Sequence, residues 1–145
     1  MGVSEIDLAY AAGIIDGEGT IYITPQHGYL ILCVGVHMTT SEVPVWLRKT
    51  FGGGLSKHGS QNKKHKDSWR WGLTAKSAIA FLEEVYPFLK LKKPQVEVAR
   101  VFQGTIKYGI HNRWNPPSEE ELAVRETCRG QMRLLNLRGV QNEVS

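Results

Sequence analysis

Apolar and polar positions follow two rhythms along this chain, and the rhythms divide it into elements. From Ser4 to Gly19 the spacing is helical, with Ile6, Tyr10 and Ile14, joined by Leu8, Ala11 and Ile15, supplying apolar bulk. Ser4 and Asp7 form an S-x-x-D capping box at its start, and Gly17-Glu18-Gly19 stops it before the β-branched run Thr20-Ile21-Tyr22-Ile23. From Thr20 to Gln26 the period drops to two: Ile21 and Ile23 face one way, Thr20, Tyr22, Thr24 and Gln26 the other. Pro25 marks an edge position or a frayed strand end. His27-Gly28 turns the chain into a second strand, Tyr29 to Thr39. Leu30, Leu32, Val34 and Val36 are predicted inward, and Tyr29, Ile31, Cys33, Gly35 and His37 outward.

Ser41 is predicted to cap the next helix, with Pro44 in its first turn, Val43, Trp46, Leu47 and Phe51 apolar, and Gly52-Gly53-Gly54 ending it. A second hairpin follows, with strands near Leu55–Gly59 and Ser68–Leu73 and a polar, basic connection from Ser60 to Asp67. In its return strand Trp69, Trp71 and Leu73 read as core, which puts Arg70 on the polar face. Ala75 to Val85 is an amphipathic helix broken by Pro87, and Pro94 opens another helix to about Tyr108. After a linker from Gly109 to Pro117, Ser118 and Glu121 make a second capping box and start a last helix through about Leu137. Arg125, Arg129, Arg133 and Arg138 make much of that helix basic.

The order is α-β-β-α-β-β-α with two further helices. It predicts an α+β fold: an αββαββα core with one four-stranded antiparallel sheet, helices on one face, and C-terminal helices added. The open face is expected to collect Thr20, Tyr22, Thr24, Gln26, His37, Lys57 and Arg70, flanked by Lys63, Lys64 and Lys66. Those are donors with the reach for phosphates and base edges in a major groove, which admits a two-stranded ribbon.

The first helix carries a second signal. Ala9, Gly13 and Gly17 fall at i, i+4 and i+8, a stripe with almost no side chain. It permits another backbone closer than the usual ~8–10 Å between helix axes. Each glycine inside a helix costs roughly 1 kcal/mol against alanine. Asp16 and Glu18 add negative charge at the C-terminal end, where the dipole favours cations. If two copies pack through the stripe about a two-fold axis, their Glu18 carboxylates approach. At ~6 Å and an effective dielectric of about 20 the repulsion is on the order of 3 kcal/mol. A shared divalent cation reverses its sign. The alternative is a monomeric α+β domain whose glycine helix packs internally. A membrane helix is excluded, since the apolar run is too short and carries carboxylates.

Bulk properties narrow the field less. At 145 residues the chain is expected to be one domain, with roughly 68–70% of its unfolded surface buried. Cys33 and Cys128 lie far apart and have no metal-ligand spacing, which suggests a reduced intracellular compartment. The net charge of +4 favours a polyanionic partner, the more so if doubled in a dimer and gathered on one face. No stretch reads as a signal peptide or membrane span, and nothing points to a small-molecule substrate.

Ala11 to Gly19, AAGIIDGEG, resembles the LAGLIDADG motif of homing endonucleases. Pro87 to Lys92, PFLKLK, and the Phe51-Gly52-Gly53-Gly54 turn also resemble the single-motif, homodimeric branch of that family, in register over most of the chain. The resemblance implies a saddle of two such sheets on a long, roughly palindromic double-stranded DNA target. It also implies site-specific, divalent-metal-dependent phosphodiester hydrolysis and a role in intron mobility. By the same resemblance Glu18 and the Gly17 carbonyl would ligate the metal. Mg²⁺ is expected, with Mn²⁺ or Ca²⁺ able to take its place. The family often has Asp where this chain has Glu18; Asp16 is expected to be structural. Lys92 matches a lysine near the metal-bound water or scissile phosphate. The family's Gln and Arg around the end of the second strand have no counterpart in His37-Met38-Thr39-Thr40-Ser41-Glu42, where His37 is the candidate to organise water. Residues 1–145 would form one endonuclease domain, in a prokaryotic cytoplasm or an organelle such as a chloroplast or mitochondrion. The same scaffold without cleavage, as an RNA maturase or transcriptional regulator, is the rival reading.

Overall fold

The computed structural model describes residues 2–59 and 66–141, with side chains to residue 137. The elements run α1 (Glu5–Glu18), β1 (Gly19–Gln26), β2 (Tyr29–Met38), α2 (Glu42–Phe51), β3 (Gly54–His58), β4 (Ser68–Thr74), α3 (Ala75–Val85), a 3₁₀ turn (Tyr86–Phe88), α4 (Lys93–Gly104) and α5 (Glu119–Gln141). The fold class is the expected one. The strands form a single antiparallel sheet in the order β1-β2-β4-β3, so Pro25 does lie on an edge strand. His27 and Gly28 both take positive φ, 51° and 85°, which gives a two-residue turn whose twist matches the strands it joins.

One face of the sheet is covered. Ile21, Ile23, Leu32, Val34, Val36, Trp71 and Leu73 meet Leu47 of α2, Ala78, Phe81, Leu82 and Val85 of α3, and Val96, Ala99 and Phe102 of α4 in one apolar cluster. Trp71, the largest side chain fully enclosed, donates its indole N–H to the Gly52 carbonyl at 2.7 Å and meets Phe81 edge to face at 5.3 Å. Cys128 and Met132 bring α5 into the same core. Asn136 on α5 donates to the Ile21 carbonyl at 3.0 Å, which occupies a backbone acceptor of the edge strand β1.

Several local expectations need correcting. Trp69 lies half-buried outside the main cluster, at the end of β4 farthest from α3. Cys33 points away from the helices yet is buried, because Tyr22 covers it from the neighbouring strand. Ser41 stands at the N-cap of α2 but makes no side-chain bond there. The helix α4 ends at Gly104, four residues short of Tyr108. Both Thr105 groups are taken elsewhere: its hydroxyl donates to the Phe102 carbonyl at 2.7 Å, and Arg125 donates to Thr105 Oγ1 and O at 2.9 Å each. Arg125 is therefore buried in the α4–α5 contact, so it adds nothing to a basic surface, and the side chain of Arg138 lies outside the described residues. The second capping box forms in full, Glu121 N–H donating to Ser118 Oγ at 3.1 Å and Ser118 N–H to the Glu121 carboxylate at 3.2 Å, whereas the first makes only its Asp7 N–H to Ser4 Oγ half, at 3.2 Å.

Candidate functional site

The site is built at the end of α1, and the two sides of that helix explain its placement. Ala11, Ala12 and Ile15 are fully buried against β2 and α3. Ala9, Gly13 and Gly17 face out, and a Cβ placed on Gly13 or Gly17 would meet nothing within 4 Å. Among the described residues, then, nothing packs against the two glycines of the stripe. Ile6 and Tyr10, part of the apolar bulk at helical spacing, share this outer side at 82% and 45% exposure. Alanines at the inner contact let the helix sit so close to the sheet that only a narrow band of it is covered.

Beyond the stripe, α1 is held to the turn that precedes α4. The Asp16 carboxylate accepts three consecutive backbone N–H groups: Lys90 at 2.7 Å, Leu91 at 3.2 Å and Lys92 at 3.0 Å. Lys92 returns the connection, its Nζ donating to the Ile15 carbonyl at 2.9 Å and to the Gly19 carbonyl. A helix leaves its last carbonyls without internal partners and its C-terminal end negative, so an ammonium there has a physical reason. Gly19 must be glycine: a Cβ there would stand 2.8 Å from the Ile15 backbone. Burial pushes the Lys92 ammonium below the usual lysine range, while the Asp16 and Glu18 carboxylates pull it back up.

Glu18 itself is exposed, and among the described residues no hydrogen bond or ion pair engages its carboxylate. The Gly17 carbonyl belongs to the last turn of α1. Among the described residues of one chain, no three His, Cys, Asp or Glu side chains converge as a metal cage. One free carboxylate and one helix-end carbonyl are oxygen donors of the kind Mg²⁺ and Ca²⁺ prefer, and they amount to part of a coordination set.

The sheet register decides which side chains share the open face with Glu18. Gly19 pairs with Val36, so Glu18 is level with His37, and His37 pairs with Arg70, which pairs with Ser56. Thr20, Tyr22, Thr24 and Gln26 continue along β1 away from that end, as expected. Lys57 does not belong with them. It pairs with Trp69, and both alternate in phase with Leu55 and Trp71 on the helix-covered side. There Lys57 Nζ lies 5.5 Å from the Trp69 ring and 3.5 Å from the Asp67 carboxylate. Ser56 and His58 take the open-face positions of β3; Ser56 Oγ and His58 Nε2 are 3.3 Å apart, and the His58 and His37 rings are 6.3 Å apart, edge to face. Sequence reasoning missed both residues, though fixing Leu55 inward would have found them. Tyr22 lies under the influence of Arg70; burial and Cys33 push its phenol above the usual tyrosine range. Lys66 is exposed, and Lys63 and Lys64 lie outside the described residues.

Glu18, Gly17, Lys92 and His37 are thus gathered at one end of the sheet, with Arg70, Ser56 and His58 beside them. Ala9, Gly13 and Gly17 form the outer side of α1 leading into that end. No protein-family profile matches the sequence, and no curated protein matches it. Among solved structures, the chain is similar to the homing endonuclease I-CvuI in complex with its target in the presence of calcium. The two are 17% identical with a TM-score of 0.65, over 90% of this chain and 82% of that one. It is likewise similar to the archaeal intron-encoded homing endonuclease I-Vdi141I complexed with DNA, at 16% identity and TM-score 0.65, over 88% and 84% of the two chains. The LAGLIDADG meganuclease I-AabMI bound to uncleaved DNA matches at 16% identity and TM-score 0.61, over 84% of this chain but 43% of that one. The fold is that of the LAGLIDADG homing endonucleases.

Proposed function

We propose that this chain is a LAGLIDADG homing endonuclease that acts as a homodimer, hydrolysing both strands of a long pseudo-palindromic DNA target with a divalent metal, Mg²⁺ foremost. The observation that carries the reading is Glu18, an exposed carboxylate at the end of a helix whose bare side faces out, engaged by no hydrogen bond or ion pair among the described residues. A second copy laid along Ala9, Gly13 and Gly17 brings a second Glu18 and a second Gly17 carbonyl to the first. The coordination set that one chain leaves incomplete is then doubled. The likeness to DNA-bound structures supports the open face of the sheet as the DNA surface.

When bound, a divalent cation polarises phosphoryl oxygens and lowers the pKa of its water. Glu18 and the Gly17 carbonyl of each subunit would hold that cation. Lys92, already at the end of α1, places a cation where charge grows on the scissile phosphate, and His37 orients water at the adjoining end of β2. Thr20, Tyr22, Thr24, Gln26, His37 and Arg70, with Ser56 and His58 added, contact base edges and phosphates, and Lys63, Lys64 and Lys66 contact phosphates beyond the strands. Lys57, paired and on the other face, is withdrawn from that set. If the dimer neutralises 6–10 phosphates, affinity falls about 10³–10⁵-fold between 50 and 200 mM salt.

A cleavage-deficient nucleic-acid-binding role keeps one observation in its favour. Nothing in His37-Met38-Thr39-Thr40-Ser41-Glu42 replaces the family's arginine. Incubating the chain with a randomised duplex library and Mg²⁺, then sequencing cut and bound fractions separately, decides between the two. A defined cut site with two-fold symmetry supports the nuclease; enrichment of bound molecules without any cut product supports the binding module.

A further inference from the structure

Asp16 does more at this site than end a helix. Its two oxygens take amides from three successive residues that lie 74, 75 and 76 positions further along the chain. Oδ2 accepts from Lys90, and Oδ1 is shared by Leu91 and Lys92. Successive amides turned onto one carboxylate make a nest that cannot rotate without giving up bonds to a charge. Lys92 is the last of the three and is fastened at both ends. Its amide is on Asp16, and its ammonium is on the Ile15 and Gly19 carbonyls that bracket the final turn of α1. A lysine side chain is otherwise a flexible stem with a freely turning head. We infer that Asp16 is a positioning residue for the cleavage chemistry, holding the 90–92 turn so that Lys92 is delivered to the end of α1 beside Glu18. The inference rests on the nuclease reading and concerns a residue that touches neither metal nor DNA in it.

A carboxylate that merely glued the turn to the helix would affect folding or dimer formation, and its loss would add independently to the loss of Lys92. A carboxylate that works through Lys92 gives a different pattern. The full-length chain is assayed on its selected duplex under single-turnover, saturating conditions with Mg²⁺, as wild type, Asp16→Asn, Lys92→Met, the double variant and Glu18→Gln. DNA affinity without metal and the fraction of dimer are measured alongside. Asp16→Asn keeps the shape but removes the charge and turns an N–H₂ towards the amides. It is expected to slow cleavage about 10–100-fold, as loss of a supporting hydrogen-bond partner does, with DNA affinity and dimer fraction changed less than twofold. The double variant is expected to be no slower than Lys92→Met alone. Full-speed cleavage by Asp16→Asn, losses that multiply in the double variant, or a loss matched by weaker dimer or DNA binding would each overturn the inference. If Asp16→Asn does not fold, Asp16→Glu carries the same cycle, since it keeps the carboxylate and moves it by one methylene. Wild type that leaves every duplex intact removes the nuclease reading and this inference with it. Wild type that cuts beside equally active Asp16 variants removes only the inference.

Discussion

The two sides of α1 are made from nearly the same material and meet opposite fates. On one side Ala11, Ala12 and Ile15 are fully enclosed; on the other Ala9, Gly13 and Gly17 are exposed, a Cβ on either glycine would meet nothing within 4 Å, and exposed Ile6 and Tyr10 flank them. Both sides are apolar along the middle of the helix, and among the described residues the chain covers one of them. Small residues on the inner side are explained by the closeness of β2 and α3, whereas among the described residues nothing packs against the two glycines on the outer side, which cost helix stability. The contrast bears on the proposed chemistry as well, since Glu18 stands at the end of that exposed side.

The largest effect is expected there. Glu18→Gln keeps the size and removes the charge, so it should lower the single-turnover cleavage rate by about 10³-fold or more, the loss of several kcal/mol of metal-linked stabilisation. Gel-shift affinity without metal should stay within a few-fold. Cleavage at the wild-type rate would detach Glu18 from the mechanism and leave the outer side of α1 with no chemical purpose.

Next come substitutions that set the two sides directly against each other. Ile15→Ala empties a site with no exposure and should cost about 2–5 kcal/mol in urea unfolding. Gly13→Leu, on the same helix, projects into open space and should leave the isolated chain folded. In sedimentation it should abolish the dimer at micromolar concentration, since a leucine cannot lie where two backbones nearly touch. A Gly13→Leu protein that still sediments as a dimer through the same face would contradict the proposed axis.

How much of this was legible beforehand depends on how far each cause lies along the chain. The first hairpin was readable because its signals are local: Ile21 and Ile23 alternate with polar neighbours, and His27-Gly28 takes the positive φ that the turn demands. The outer side of α1 was readable as a stripe, yet the helical spacing of Ile6, Tyr10 and Ile15 did not separate the exposed from the buried, because position on a helix with apolar residues on both sides does not say which side the chain covers. In β3 one apolar residue, Leu55, sets the phase of five, and a lysine can lay its methylenes along an indole while keeping its charge in water. That is why Lys57 was placed on the wrong face and Ser56 and His58 went unseen. The partners of Asp16 were beyond any local pattern, since they come from a turn more than seventy positions away.

The two faces of the sheet allow a milder version of the same test. Arg70→Ala, on the open face, should weaken specific binding by about 1–3 kcal/mol, roughly 5–150-fold, and relax base preference at one position of each half-site. Lys57→Ala, on the covered face and already paired with Asp67, should change affinity less than twofold and leave the salt dependence unaltered. Reversed results in competition binding would mean that the register read across β2, β4 and β3 does not describe the DNA surface.

The smallest expected effect is the most discriminating, because its sign should change. Gly13→Ala adds one methyl that meets nothing in the isolated chain and removes a glycine from a helix interior, which should stabilise the monomer by roughly 1 kcal/mol. In a dimer packed through the stripe, two such methyls face each other across the axis and weaken association. Stability of an associating protein depends on its concentration. Thermal unfolding followed over a hundredfold range of dilution should then show the variant above wild type when dilute and below it when concentrated. A gain of the same size at every concentration would mean that nothing presses on that side of α1. Gly13 would then be a helix defect without compensation, and the dimer would have to be built on some other surface.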